Sequence, residues 1–121
     1  NADYREASEF NGWAFNPETP FWWARFQQDI QFNNELRCRW EELRASVLSD
    51  ASIGLMIARW ATLLQEAQQR NFRRWPVLGV DVWPNAFVGE TYAIEVQYLE
   101  AWVNYRADWL DDNFPGTCLE N

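Results

Sequence analysis

Residues 32–48 read FNNELRCRWEELRASVL, and their apolar side chains recur at helical spacing. Successive members are three or four residues apart, the spacing that brings side chains onto one face of an α-helix. The charged residues of the stretch lie mostly off that face. The pattern therefore predicts an amphipathic helix whose apolar stripe packs on a neighbour. The stripe consists of Phe32, Leu36, Trp40, Leu43 and Val47.

Helix-start signals on both sides of this stretch predict three further helices. Thr19-Pro20 offers a hydroxyl N-cap followed by proline at the first helical position. Ser49 is a good N-cap for a later helix whose apolar residues include Ile53, Ile57 and Trp60. The expected helices begin at Pro20 (short), Phe32 (to Leu48), after Ser49 (to about Phe72) and at Glu90 or Thr91 (to about Asp112).

Residues 76–90 contain prolines and glycines among seven apolar side chains, which is typical of a loop that is ordered by packing. A short strand at 80–83 would have no partner strand. The Trp75-Pro76 and Trp83-Pro84 pairs are expected to anchor this loop to the core. The chain is therefore predicted to be all-α, with about four helices and one long ordered loop that contains Trp and Pro.

The composition excludes several kinds of site. The 121 residues form one domain or part of one, with 48% apolar and 23% charged residues and no apolar run long enough to span a membrane. All ten basic residues are Arg, so imidazole bases, His metal ligands and catalytic lysines are missing. The net charge of −8 disfavours nucleic-acid binding. We predict no catalytic residue and no metal site in this chain.

Two groups of residues leave a structural and a functional interpretation open. Arg70, Arg73 and Arg74 could bind an anion or dock a partner, although capping of a helix end and ion pairing are favoured for them. Cys38 and Cys118 are either one disulfide or two unrelated buried thiols. The nine Trp are expected to serve the core more than a ligand, with Trp40 and Trp60 on core stripes.

Several strings, taken in order, resemble the C-terminal part of the spore-coat-protein-H (CotH) kinase family. Each string alone is weak, but the ordered set covers nearly the whole chain. The strings are FWWARF (21–26), LRCRWEELR (36–44), RNFRRWPVLG (70–79), VWPN (82–85), TY (91–92), EV (95–96), WLD (109–111) and PGTC (115–118), with Asp29, Leu99, Trp102 and Arg106 between them.

The resemblance implies a place in an atypical protein kinase that is secreted or on the spore surface. Members transfer the γ-phosphoryl group of ATP to coat or extracellular proteins with a divalent metal. The family's nucleotide lysine, catalytic aspartate and metal-binding aspartate lie upstream of the matched region. Residues 1–121 are therefore expected to be one helical unit, a fragment at the helical end of the kinase C-lobe. It would be inactive and cofactor-free alone and partnered by the upstream kinase lobe. Docking of the protein substrate is a candidate role for it.

The resemblance also bears on the cysteines, because in secreted relatives cysteines at these two places look paired. It implies a Cys38–Cys118 disulfide. An alternative hypothesis, from another class of protein, is a non-catalytic extracellular helical module that binds a protein or glycan through exposed Trp and Arg.

Overall fold

The computed structural model describes residues 8–13 and 20–118, and in these ranges it contains five α-helices and no strand. This confirms the all-α class. The most extensive contacts between helices join the first to the second, the third to the fourth and the third to the fifth. The helices are α1 (Phe21–Gln27), α2 (Ile30–Arg44), α3 (Asp50–Leu63), α4 (Gln65–Arg74) and α5 (Tyr92–Asn113).

The helix count exceeds the expectation because the predicted third helix divides at Leu64. The backbone of this residue, with φ −85° and ψ −1°, departs from the dihedral angles of an α-helix, which are about −63° and −42°. Its N–H still donates to the carbonyl of Trp60 at 2.9 Å. The start of α1 also differs, since Pro20 occupies the N-cap position and not the first helical one. Thr19, the expected cap, lies outside the described residues.

Side-chain caps set where the three longest helices begin. Ser49, the predicted cap of the third helix, and Thr91 each accept a hydrogen bond from a backbone N–H of the following turn. Asp29 caps α2, with Oδ1 accepting from the N–H groups of Gln31 (2.8 Å) and Phe32 (3.2 Å). Helix α2 therefore begins two residues earlier than the apolar stripe indicated.

The loop between α4 and α5 packs only in part. The Phe87 ring stacks on Tyr98 of α5, with centroids 4.0 Å apart. The two tryptophans that were expected to anchor the loop are exposed instead, Trp75 by 59% and Trp83 by 73%. That expectation is wrong. Trp75 lies against the guanidinium of Arg74 and is not part of a core.

The segment after α5 folds back onto α2. Cys118 and Cys38 form a disulfide, with Cα atoms 4.7 Å apart, and the Thr117 N–H donates to Asn34 Oδ1 at 2.8 Å. Gly116 makes this approach possible with a φ of +87°. A Cβ at this position would lie 2.5 Å from the backbone of Asn33. The cysteine pair implied by the resemblance is thus the pair that the structure brings together.

The close approach at Gly116 gives a test of this docking. Gly116→Ala is expected to lower the free energy of unfolding by about 3 kcal/mol, because left-handed strain adds to a backbone clash. Gly12→Ala is the matched control, with a φ of +85° and nothing within 4 Å of its Cβ, and should cost about 1 kcal/mol. Urea unfolding of both variants measures the difference. Equal losses would show that the tail does not lie against α2.

The short segment 8–13 is held along α5 by polar contacts. The indole N–H of Trp102 donates to the Ser8 carbonyl at 2.7 Å. Arg106 donates to the carbonyls of Phe10 and Gly12, each at 2.8 Å. Its guanidinium also lies over the Trp109 ring, 4.8 Å from the centroid. One face of α5 is therefore covered by this segment.

The described residues bury few apolar side chains. Among them only Ile53 of α3 and Ala107 of α5 are buried, with exposed fractions of 8% and 4%, whereas 24 large hydrophobic residues are exposed. Trp60, placed on a core stripe by its spacing, is 53% exposed, which corrects the prediction of a buried ring. Trp40 keeps its inward position against Phe114, with ring centroids 5.0 Å apart. The helices thus present apolar faces that this chain does not itself cover.

Candidate functional site

The arginines singled out from the sequence lie in the last turn of α4 and just before it. Arg70 forms an ion pair with Glu66 one turn earlier. Arg73 donates to the carbonyl of Gln69 at 3.3 Å, and the Arg74 guanidinium lies 5.0 Å from the Trp75 ring centroid. Their position near the C-terminal end of α4 suits the helix dipole, which favours positive charge there.

The spacing of Arg70, Arg73 and Arg74 places them on one side of α4, and Arg70 is 57% exposed. Intramolecular contacts already engage each guanidinium. An anionic partner could bind these arginines only if it displaced their present contacts. Its role as an anion or docking site stays a prediction.

A denser polar network joins α2, the start of α3 and α5 through Asp111. Arg44 lies 2.9 Å from Asp111 Oδ2 and 2.7 Å from Asp50 Oδ1, and its side chain is only 15% exposed. The Trp40 indole N–H donates to Asp111 Oδ1 at 2.7 Å, and Arg37 donates to the Asp111 carbonyl at 2.6 Å. Three side chains of α2 therefore converge on one residue of α5.

The surroundings of Arg44 favour its charged form. The hydrogen bonds that Arg44 donates to Asp111 raise the pKa of Arg44 above its ordinary value, and those to Asp50 add to this rise, whereas burial opposes it. Because the pKa of Arg44 is raised in the folded state, the stabilisation is fully present at physiological pH and is lost only in strongly alkaline solution. The network is thus a structural clamp between helices.

Two apolar grooves lie on the described surface. The first, here called the α3–α5 groove, has a volume of 820 Å³, and residues 84–87 contribute to its lining. The second, the aromatic groove, has a volume of 740 Å³ and lies between α1, the start of α2 and the segment after α5. The α3–α5 groove is lined by Met56, Trp60, Leu64, Val96, Leu99 and Trp102. The aromatic groove is lined by Trp22, Trp23, Phe26, Phe32 and Phe114.

Neither groove carries a set of groups suited to metal binding or catalysis. The only carboxylate on the α3–α5 groove is Glu95, whose Oε1 accepts from the Gly89 N–H at 2.6 Å. Within residues 8–13 and 20–118, no three His, Cys, Asp or Glu side chains are grouped as metal ligands. Over the same ranges, the helices are too short or too polar to cross a membrane. The apolar lining of both grooves suits the packing of apolar side chains.

Sequence reasoning missed both the Asp111 network and the α3–α5 groove. The network joins residues about 70 positions apart, which no local pattern reveals. The groove had a usable signal, because Met56, Trp60 and Leu64 recur at every fourth residue beside the buried Ile53. That signal gives a wide apolar face on α3 but not the identity of what covers it.

Comparison with known proteins identifies a family. The model of the CotH kinase protein family matches residues 2–110, which is nearly the whole chain. No curated protein and no solved structure matched the chain.

Proposed function

Because the chain belongs to the CotH kinase protein family, we propose that it is the C-terminal helical portion of a CotH-like protein kinase. In this proposal residues 1–121 form one helical unit that supports the catalytic lobe and does not itself transfer phosphate. The complete kinase would use ATP and a divalent metal to phosphorylate coat or extracellular proteins. The helical portion would contribute rigidity and, through its surface arginines, contacts to the protein substrate.

The observation that carries this proposal is the amount of apolar surface left open in a chain with a family match. A domain that folds alone hides most of its large apolar side chains, since such patches otherwise attract partners. Here Met56 and Trp60 of α3 are both more than half exposed. A helical unit packed against another lobe would show these faces when viewed alone.

The chain's own residues supply a scaffold in this proposal. The Arg44–Asp111 contact fixes α2 against α5, and the Cys38–Cys118 disulfide holds the tail on α2. The disulfide also supports a secreted or spore-surface location, because such bonds persist in oxidising compartments. The arginines at 70, 73 and 74 are the substrate-docking candidates.

Phosphotransfer from labelled ATP with Mg²⁺ or Mn²⁺ tests the proposal. The longer polypeptide that carries these 121 residues should label itself or an acidic model protein, whereas the 121-residue chain should not. Labelling by the chain alone would place a catalytic centre within it and contradict the proposal. No labelling by either would favour the non-catalytic binding module, for which the exposed Trp22 and Trp23 of the aromatic groove are the contact candidates.

A further inference from the structure

We propose that the α3–α5 groove is the seat for an apolar α-helix of the kinase lobe that precedes these helices in the same polypeptide. This inference rests on the proposed function and names which face of the helical unit meets that lobe. It adds a specific partner surface, since the family match itself assigns no interface to any residue.

The exposed ridge of α3 is the first support. Met56, Trp60 and Leu64 follow one another at intervals of four residues and are 54%, 53% and 46% exposed. They lie beside Ile53, which is buried against the rest of the chain. One half of the apolar face of α3 is therefore packed and the other half is open. An open ridge next to a packed one indicates that a further element belongs there.

The shape of the groove favours a helix as the occupant. Met56 to Leu64 spans eight residues of rise along α3, roughly 12 Å. Val96, Leu99 and Trp102 form the facing wall on α5 at helical spacing. Two such walls accept the side-chain ridge of a third helix of two to three turns. The wall residues are apolar, so the helix must present an apolar ridge to them.

The total area argues against a second copy as the occupant. The chain exposes 9447 Å² of surface. A folded monomer of its mass is expected to expose about 6,800 Å². The excess, about 2,600 Å², is roughly three times the 800 Å² that each partner contributes to a standard dimer interface. A second copy bound through an interface of standard size would leave most of that area open, whereas a continuing lobe of the same polypeptide can cover it.

The net charge of the chain also argues against a second copy as the occupant. Each copy carries a net charge of −8, so two copies repel one another at low ionic strength. Among the described residues, no cationic side chain lines the groove to offset that repulsion, and the one carboxylate that lines it, that of Glu95, accepts a hydrogen bond from the Gly89 N–H. A lobe of the same polypeptide is held close by the chain itself and is not subject to this cost of association.

A matched pair of substitutions on α3 tests the proposal. Met56 lines the groove, whereas Leu55 is 73% exposed and lies outside it. In the full polypeptide, Met56→Arg should lower the Tm by at least about 5 °C, because a guanidinium would be buried among apolar groups. Leu55→Arg should change the Tm by less than about 1 °C. In the 121-residue chain neither substitution should matter, since both sites are already in water.

The remaining outcomes decide between occupants. Equal effects of the two substitutions in the full polypeptide would overturn the proposal. A 121-residue chain that sediments as a dimer, and as a monomer only with Met56→Arg, would assign the groove to a second copy and overturn it as well. If Met56→Arg does not fold in the full polypeptide, Met56→Leu should restore a native Tm. All of these readouts are independent of phosphotransfer, so the groove can fail while the kinase assignment stands, and the reverse.

Discussion

Reduction of the Cys38–Cys118 disulfide is expected to lower the free energy of unfolding by about 4 kcal/mol. The two cysteines are 80 residues apart, so the bond closes a long loop and removes much of the conformational freedom of the unfolded chain. The docked tail also keeps Thr117 against Asn34. Urea unfolding with and without reductant measures the loss, and Cys38→Ser should reproduce it.

The control for this prediction is the thiol count of the oxidised protein. Alkylation followed by intact-mass measurement should find no free thiol before reduction and two after it. Two free thiols in the non-reduced protein would contradict the disulfide. An unchanged urea midpoint after complete reduction would show that the tail contributes little to stability even when the bond is present.

Asp111→Ala is expected to cost about 2–3 kcal/mol of stability. The substitution removes one of the carboxylates that pair with Arg44, whose side chain is 15% exposed, and the acceptor for the Trp40 indole N–H. A largely buried guanidinium that keeps Asp50 but loses its contacts with Asp111 is the main source of the loss. Solvent around Asp111, which is 38% exposed, keeps the value below that of a fully buried pair. Thermal unfolding followed by circular dichroism measures it.

Asp112→Ala is the matched control. This neighbour is exposed, and both substitutions remove a negative charge near the C-terminus of α5, where the helix dipole disfavours it. Asp112→Ala should therefore be neutral or slightly stabilising. If the two variants unfold at the same temperature, the network does not clamp the helices and the assignment of Asp111 as its centre is wrong.

Local signals in the sequence identified the helical segments but not all of their boundaries. Ser49 predicted the start of α3, because a capping side chain acts on the N–H groups of the next turn only, and the start of α5 was expected at Glu90 or Thr91, next to its observed cap Thr91. The break at Leu64 was not predicted, since no Gly or Pro marks it and the apolar spacing continues through it. The end of α2 was placed at Leu48 but lies at Arg44, whose side chain instead binds the carbonyl of Leu48.

Burial was predicted less well than helix position. Helical spacing shows that Trp60 shares a face with Ile53, but it does not show whether that face is covered within the chain. Trp75 and Trp83 were expected to anchor the apolar loop to the core, and both are exposed. In each case a hydrophobic pattern was interpreted as a complete core, whereas the structure shows a core that this chain builds only in part.

The candidate site shows the same division between local and long-range information. The arginines of α4 were identified from composition and spacing, and in the structure Arg70 pairs with Glu66 and Arg73 donates to the Gln69 carbonyl. The α3–α5 groove needed the fold, because its two walls come from helices about 40 residues apart. Surfaces made by distant segments are visible only once those segments are placed together.

Oxidation of Met56 by peroxide tests whether the open apolar face of α3 is covered in the complete protein. Met56 is the single methionine of the chain and is 54% exposed, so its sulfur reports on the groove without interference from other sites in the chain. Peptide mapping gives its oxidation rate in the 121-residue chain and in the full polypeptide. We predict a rate at least about tenfold lower in the full polypeptide, where the groove is filled. Equal rates in the two proteins would contradict the account.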